Sequence, residues 1–164
     1  MNLIYDRTAE DVERALALAK KAEAGTLTNA EKTEWLAGMK GCYNALDMNR
    51  VSTAVQTLAA ELNAAGYAVE IMPQSFAETD IVRLSQWRQY LANVQALRDA
   101  YYTLAETGQL PDAADRLDYA GANTIEQILA DIDLLIGWMK SSYRRCGTFQ
   151  AGNNAAHLPL KGSA

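Results

Sequence analysis

Residues 122–143 read Ala122-Asn123-Thr124-Ile125-Glu126-Gln127-Ile128-Leu129-Ala130-Asp131-Ile132-Asp133-Leu134-Leu135-Ile136-Gly137-Trp138-Met139-Lys140-Ser141-Ser142-Tyr143, and their spacing decides the fold class. Ala122, Ile125, Leu129, Ile132, Ile136, Met139 and Tyr143 alternate steps of three and four, flanked by Ile128 and Leu135. That is a helical period, and the width of the stripe predicts the core helix of the molecule. Gly137 inside it costs about 1 kcal/mol against Ala, so a close helix crossing is expected there.

Working outward, Ile81, Leu84, Trp87, Leu91, Val94, Leu97, Tyr101 and Leu104 predict a fourth helix near 79–105. Met48, Val51, Val55, Leu58 and Leu62 predict a third from Asp47 to Gly66, with the glycine at the left-handed C-terminal position. Two shorter helices precede it. Thr8 caps one over about 9–24, and the Thr28 to Glu31 capping box starts another of about three turns, ending before Gly41. Tyr67, Val69 and Ile71 alternate with Ala68, Glu70 and Met72, a strand period too short to stand alone. An extended connector is expected, with the C-terminal tail as its available partner. Beyond Arg145 the composition turns to Gly, Asn and Pro without helical period. The expectation is an all-α bundle of about five helices over 1–145, with mostly short connections, helices three to five around one core, and an extended or irregular tail over 146–164.

Composition fits one globular domain. The 164 residues are 49% hydrophobic and include 29 Ala against 3 Pro, which excludes collagen-like and mostly disordered chains. A formal charge of -5 removes the long-range attraction that nucleic-acid and anionic-membrane binders use, so neither partner is expected. No apolar run is long enough to insert in a bilayer, and Met1 to Arg7 lacks the form of a secretory signal. Synthesis and folding in the cytoplasm follow as the expectation. Cys42 and Cys146, far apart in a chain of this size, suggest reduced thiols rather than a disulfide framework or zinc site.

Chemistry is sparse. His157, the single histidine, stands in the Gly/Asn/Pro tail without an acidic partner, and a Cys42 nucleophile would have to borrow it. Asp131 and Asp133 are two apart on a helix and face different ways. Asp112, Asp115 and Asp118 bracket a helix start, where they serve as caps, and they lack the glycine and glutamate of a calcium loop. No catalytic residue, metal ligand or cofactor is therefore assigned. Trp138, Tyr90 and Tyr102 lie off the apolar stripes of their helices and suit an interface or a sugar ring. Arg144 and Arg145 complement the dipole at the end of helix five and complete the candidate interface. Asn49-Arg50-Val51 to Val55 and Asn123-Thr124-Ile125 to Leu129 echo each other, each placing an Asn two residues before an apolar pair four apart.

Several stretches carry a family likeness: Asn2-Leu3-Ile4-Tyr5-Asp6-Arg7-Thr8, Glu34-Trp35-Leu36, Lys40-Gly41-Cys42-Tyr43-Asn44, Asp47-Met48-Asn49-Arg50-Val51, Ala122 to Leu129, and Cys146 to Gly152. In these the chain resembles small helical proteins encoded among tail and tail-fibre genes of phages and prophages of Gram-positive bacteria. The resemblance implies a non-enzymatic virion structural protein, partnered by other phage structural proteins or by copies of itself. It carries over no catalytic residue, and residues 153–164 continue past the segment that closes such chains. Asp6-Arg7 and Asp47 with Asn49-Arg50 are polar groups beside apolar positions, suited to tying helix ends together or ordering a subunit contact. The competing readings are a host-surface module for carbohydrate or protein and an intracellular phage assembly chaperone.

Overall fold

The computed structural model describes residues 1–114 and 116–146, with side chains as far as Ser142. Five helices follow in order: α1 (Ala9–Glu23), α2 (Asn29–Leu36), α3 (Ala45–Ala64), α4 (Leu84–Ala100) and α5 (Tyr119–Cys146). The all-α bundle is as expected. Thr8, Thr28 and Asn44 each cap their helix in a reciprocal box with the side chain three residues on, so α1, α2 and α3 start where hydrogen-bond chemistry puts them. Gly66, at φ 93°, ends α3 in the left-handed region that glycine adopts without penalty.

The core is the α3–α4–α5 trio. Val51, Leu58 and Leu62 from α3, Val94 and Leu97 from α4, and Ile125, Ile128 and Leu129 from α5 are sealed from solvent in one cluster. Arg50 meets Glu126 and Glu61 meets Lys140, so α3 and α5 run in the same direction. The segment after α3 passes Asn63 at Val69 and Asn49 at Phe76, and meanwhile passes Asn93 at Met72 and the Gln86 carbonyl at Gln74. It therefore runs antiparallel to both α3 and α4, and the three core helices are parallel.

Parallel helices need long returns, and here the connections are residues 65–83 and 101–118 rather than the short ones expected. The lengths match: residues 49–63 of a helix cover about 21 Å, and residues 69–76 extended cover about 23 Å. The second return descends α5, with Thr107 bonded to Asp131 and Gly108 lying on Thr124. The N-terminal arm also descends it, from Met1 near Asp133 through Ile4 at Glu126 to Arg7 at Asn123.

Four asparagines hold these extended segments. Each offers its side-chain oxygen to one residue's N–H and its amide to the same residue's C=O, as a neighbouring strand would. Asn49 holds Phe76 (2.9 and 2.8 Å), Asn63 holds Val69 (3.0 and 2.9 Å), Asn93 holds Met72 (3.0 and 2.7 Å) and Asn123 holds Arg7 (3.0 and 2.8 Å). The connector 67–72 thus pairs with asparagine side chains; the tail expected as its partner lies outside the described residues. The Asn49 and Asn123 echo places both residues in this role, with Val51, Val55, Ile125 and Leu129 buried behind them.

Three boundaries differ from expectation. α4 is shorter at both ends: Asp80 accepts from the Ala77 N–H to form a turn, leaving Ile81 90% exposed, while Tyr101 leaves the helix extended to stack edge-on against Tyr67. α2 stops at Leu36, before Gly38 at φ 88°, and Gly41 instead marks a close approach, since a Cβ there would stand 2.0 Å from the Asp11 carbonyl oxygen. Among the described residues no helix crosses at Gly137, whose missing Cβ would meet nothing within 4 Å.

Candidate functional site

The N-terminal ends of α3 and α5 meet around four charges, Arg7, Asp47 and Glu126 buried and Arg50 partly so. Glu126, on the inner face of α5, has no solvent exposure. Its carboxylate accepts from the Ile4 N–H (2.6 Å), Arg7 Nη2 (2.7 Å), and Arg50 Nε and Nη2 (3.1 and 2.8 Å). Asp47, the third residue of α3, closes its capping box by accepting from the Asn44 N–H (3.0 Å) on one oxygen, and accepts from Arg7 (3.0 Å) and Arg50 on the other. Arg7 also donates to the Lys40 and Ile4 carbonyls and lies over the Tyr43 ring, 5.3 Å from its centroid. Two guanidinium groups thus balance two carboxylates.

A buried charge costs several kcal/mol unless paired, and each one here has a counter-charge and further hydrogen bonds. Asp47 and Glu126 pull the Arg50 guanidinium up against the opposing effect of its burial. Tyr43 and Tyr90 extend the cluster to α4, their hydroxyls 2.5 Å apart, and burial pushes both phenols far above their ordinary value. Arm, loop 40–44 and all three core helices therefore meet at one lattice. Its charged groups are spent on one another, and what the arrangement does is fix the relative height of α3 and α5.

The expected site residues separate. Trp138 is 54% exposed on α5 and Tyr102 is 69% exposed on the second return, as their off-stripe positions suggest. Tyr90 is no interface residue: it is 2% exposed, stacked on Trp87 and edge-on to Phe76. α4 is covered from two sides, by α3 with its return and by α5, so its buried face is wider than a single stripe. The side chains of Arg144 and Arg145 lie outside the described residues, as do His157 and Asp115. Burial raises the Cys42 thiol, with Asp47 adding to the effect, which makes it a poor nucleophile.

Asp118 accepts from the Gly121 N–H, the capping role foreseen for it, whereas Asp112 accepts from the Ala114 N–H in the loop before α5 and caps no helix. Asp131 takes hydrogen bonds from Thr107 and Gln127, and Asp133 faces the Met1 amine, so the two do not share a site. Among the described residues no cluster of His, Cys, Asp and Glu could hold a metal ion, and no helix is long and apolar enough to cross a membrane.

Glu126 is the residue that sequence reasoning missed as a buried charge. Its signal was present: it is an acid at the centre of an apolar stripe, one position from Ile125 and two from Ile128. Comparison of the chain with protein-family profiles, curated proteins and solved structures finds no match in any of the three.

Proposed function

We propose that this protein is a non-enzymatic phage structural module that docks, as a rigid helical body, on the tail, baseplate or fibre of the virion. One observation carries the reading. The motifs behind the phage-tail resemblance supply Arg7, Tyr43, Asp47, Arg50 and Glu126, and these converge on the single lattice that ties the arm to the core helices. Likeness at those positions is therefore likeness in the framework, as suits a protein whose task is to hold a shape. Asn49 and Asn123, from the same motifs, pin the extended segments.

Mass spectrometry of density-purified particles from a strain carrying the gene tests this. A copy number near a small multiple of three is the expected result. Absence from clean particles, despite expression on induction, overturns the reading in favour of an intracellular assembly role.

A further inference from the structure

The outward face of α5 is left uncovered by the described residues. Ala130, Leu134 and Trp138 form its floor, and Leu134 and Trp138 are among the large apolar side chains left exposed. Along its lower half this face lies between two banks. Met1 and Tyr5 of the arm stand on one side, and Tyr102 of the second return on the other. Between the arm and α5 lies a trough of about 390 Å³. The upper half, from Gly137 onward, carries no bank from the described residues, and open space surrounds the glycine. Exposed Trp and Tyr around an aliphatic centre is the composition of an interface core.

Charge along the helix identifies what fits. The lower half carries Asp131 and Asp133, and Asp131 receives only the neutral donors Thr107 and Gln127. Arg98, the cation nearest that bank, has its Nη1 shut away from solvent, and Lys140 is tied to Glu61. The last turn of α5, by sequence, carries Arg144 and Arg145. An acidic half, an apolar centre and a basic end make a surface complementary to its own reverse.

We infer that two copies of this chain pair through α5 in antiparallel fashion, about a two-fold axis passing beside Trp138. Such an axis sets Asp131 level with the partner's Arg145 and Leu134 level with the partner's Ser142, and brings Asp133 within one residue of the partner's Arg144. Both opposite-charge pairs fall within one residue of the same register, about 1.5 Å along a helix, which a parallel pair would turn into like against like. Each unbanked upper half lies in the other copy's trough, and Gly137, with no side chain, lets the helix axes approach closely. A two-fold contact of this kind is self-complementary by construction. The open space at Gly137 is thereby taken up by the second copy, whose own Gly137 lies two residues away along the helix. This pairing stands apart from the virion reading: particle content does not bear on it.

The test is sedimentation velocity of the full chain across a concentration series, with variants on exposed positions that leave the folded core alone. The native protein is expected to reach twice its 17.9 kDa mass. Trp138→Ala and, separately, Asp133→Arg each weaken the dimer tenfold or more, and Asp133→Arg combined with Arg144→Asp restores it. Gly137→Cys in a Cys42→Ser, Cys146→Ser background cross-links to itself under mild oxidation, while Leu36→Cys does not. A monomer at 100 μM (on the order of the weakest contact that would matter at this scale) overturns the pairing. So does a dimer or trimer indifferent to Trp138→Ala, or a charge swap that fails to rescue. Unchanged circular dichroism for each variant separates loss of pairing from loss of fold.

Discussion

The α1–α2 hairpin and the α3–α4–α5 trio use the same local signals to opposite ends. α1, α2 and α3 each begin with a capping box, yet α2 buries no residue, α1 buries only Ala15 and Leu18, and α3 buries nine. The hairpin is held by exposed pairs, Arg14 with Glu34 and Lys21 with Glu31, whereas the trio is held by apolar packing and a sealed charge lattice. Surface ion pairs contribute roughly 0–1 kcal/mol each, and a buried leucine contributes several times that. Caps fix where a helix starts; burial fixes how firmly it stays.

The sharpest break in this comparison is at Glu126. Glu126→Ala leaves two guanidinium groups, Arg7 and Arg50, with Asp47 as their one remaining shared carboxylate, and the expected loss is about 3–5 kcal/mol of global stability in urea unfolding. A loss under about 1 kcal/mol would mean the lattice is solvated and the two regions are alike. Next comes Leu97→Ala, which opens a cavity among fully buried side chains and should cost about 2–5 kcal/mol. Its counterpart Leu36→Ala, on the 83% exposed end of α2, should stay within about 0.5 kcal/mol. Equal effects from those two leucines would erase the distinction.

Asn93→Ala tests the stitching between the regions of regular structure. It strips Met72 of both backbone partners, and a cost of about 1–3 kcal/mol is expected, read most directly as faster hydrogen exchange at the Met72 amide. Exchange that quickens across the whole of α4 instead would show the return segment to be part of the core's own cooperative unit.

How much of this was legible beforehand follows from the physics of each signal. The stripe on α5 and the boxes at Thr8 and Thr28 act within one or two turns, so sequence displays them directly. Parallel topology does not show, because it depends on which distant groove accepts residues 69–76. The four clamping asparagines look like cap or turn residues until their partners 6 to 116 positions away are known. Tyr90 was misplaced for a related reason: a single stripe describes a helix covered on one side, and α4 is covered on two. Asp47 and Arg50 were readable as ties between helix ends, but the far end of the tie, Glu126, lies 76 residues from Arg50.

The smallest expected effect belongs to the hairpin and depends on pH. Lys21 is the main cause, with the Thr28 N–H and hydroxyl adding to it, of a Glu31 carboxyl lowered from an ordinary 4.5 to about 2. Arg14 likewise lowers Glu34, and the Thr8 N–H lowers Asp11. A carboxyl lowered by folding contributes its stability above the unfolded value and loses it as pH falls through the folded one. The hairpin should therefore loosen between about pH 4.5 and 2, first seen by NMR as loss of the downfield shift and exchange protection of the Thr28 amide. Glu31→Gln keeps an acceptor for that amide but no charge for Lys21, so it should flatten the transition while leaving the protein folded at neutral pH. A Thr28 amide that titrates identically in the variant would move the acid sensitivity away from this pair, and with it the claim that exposed electrostatics, rather than packing, is what holds α2 in place.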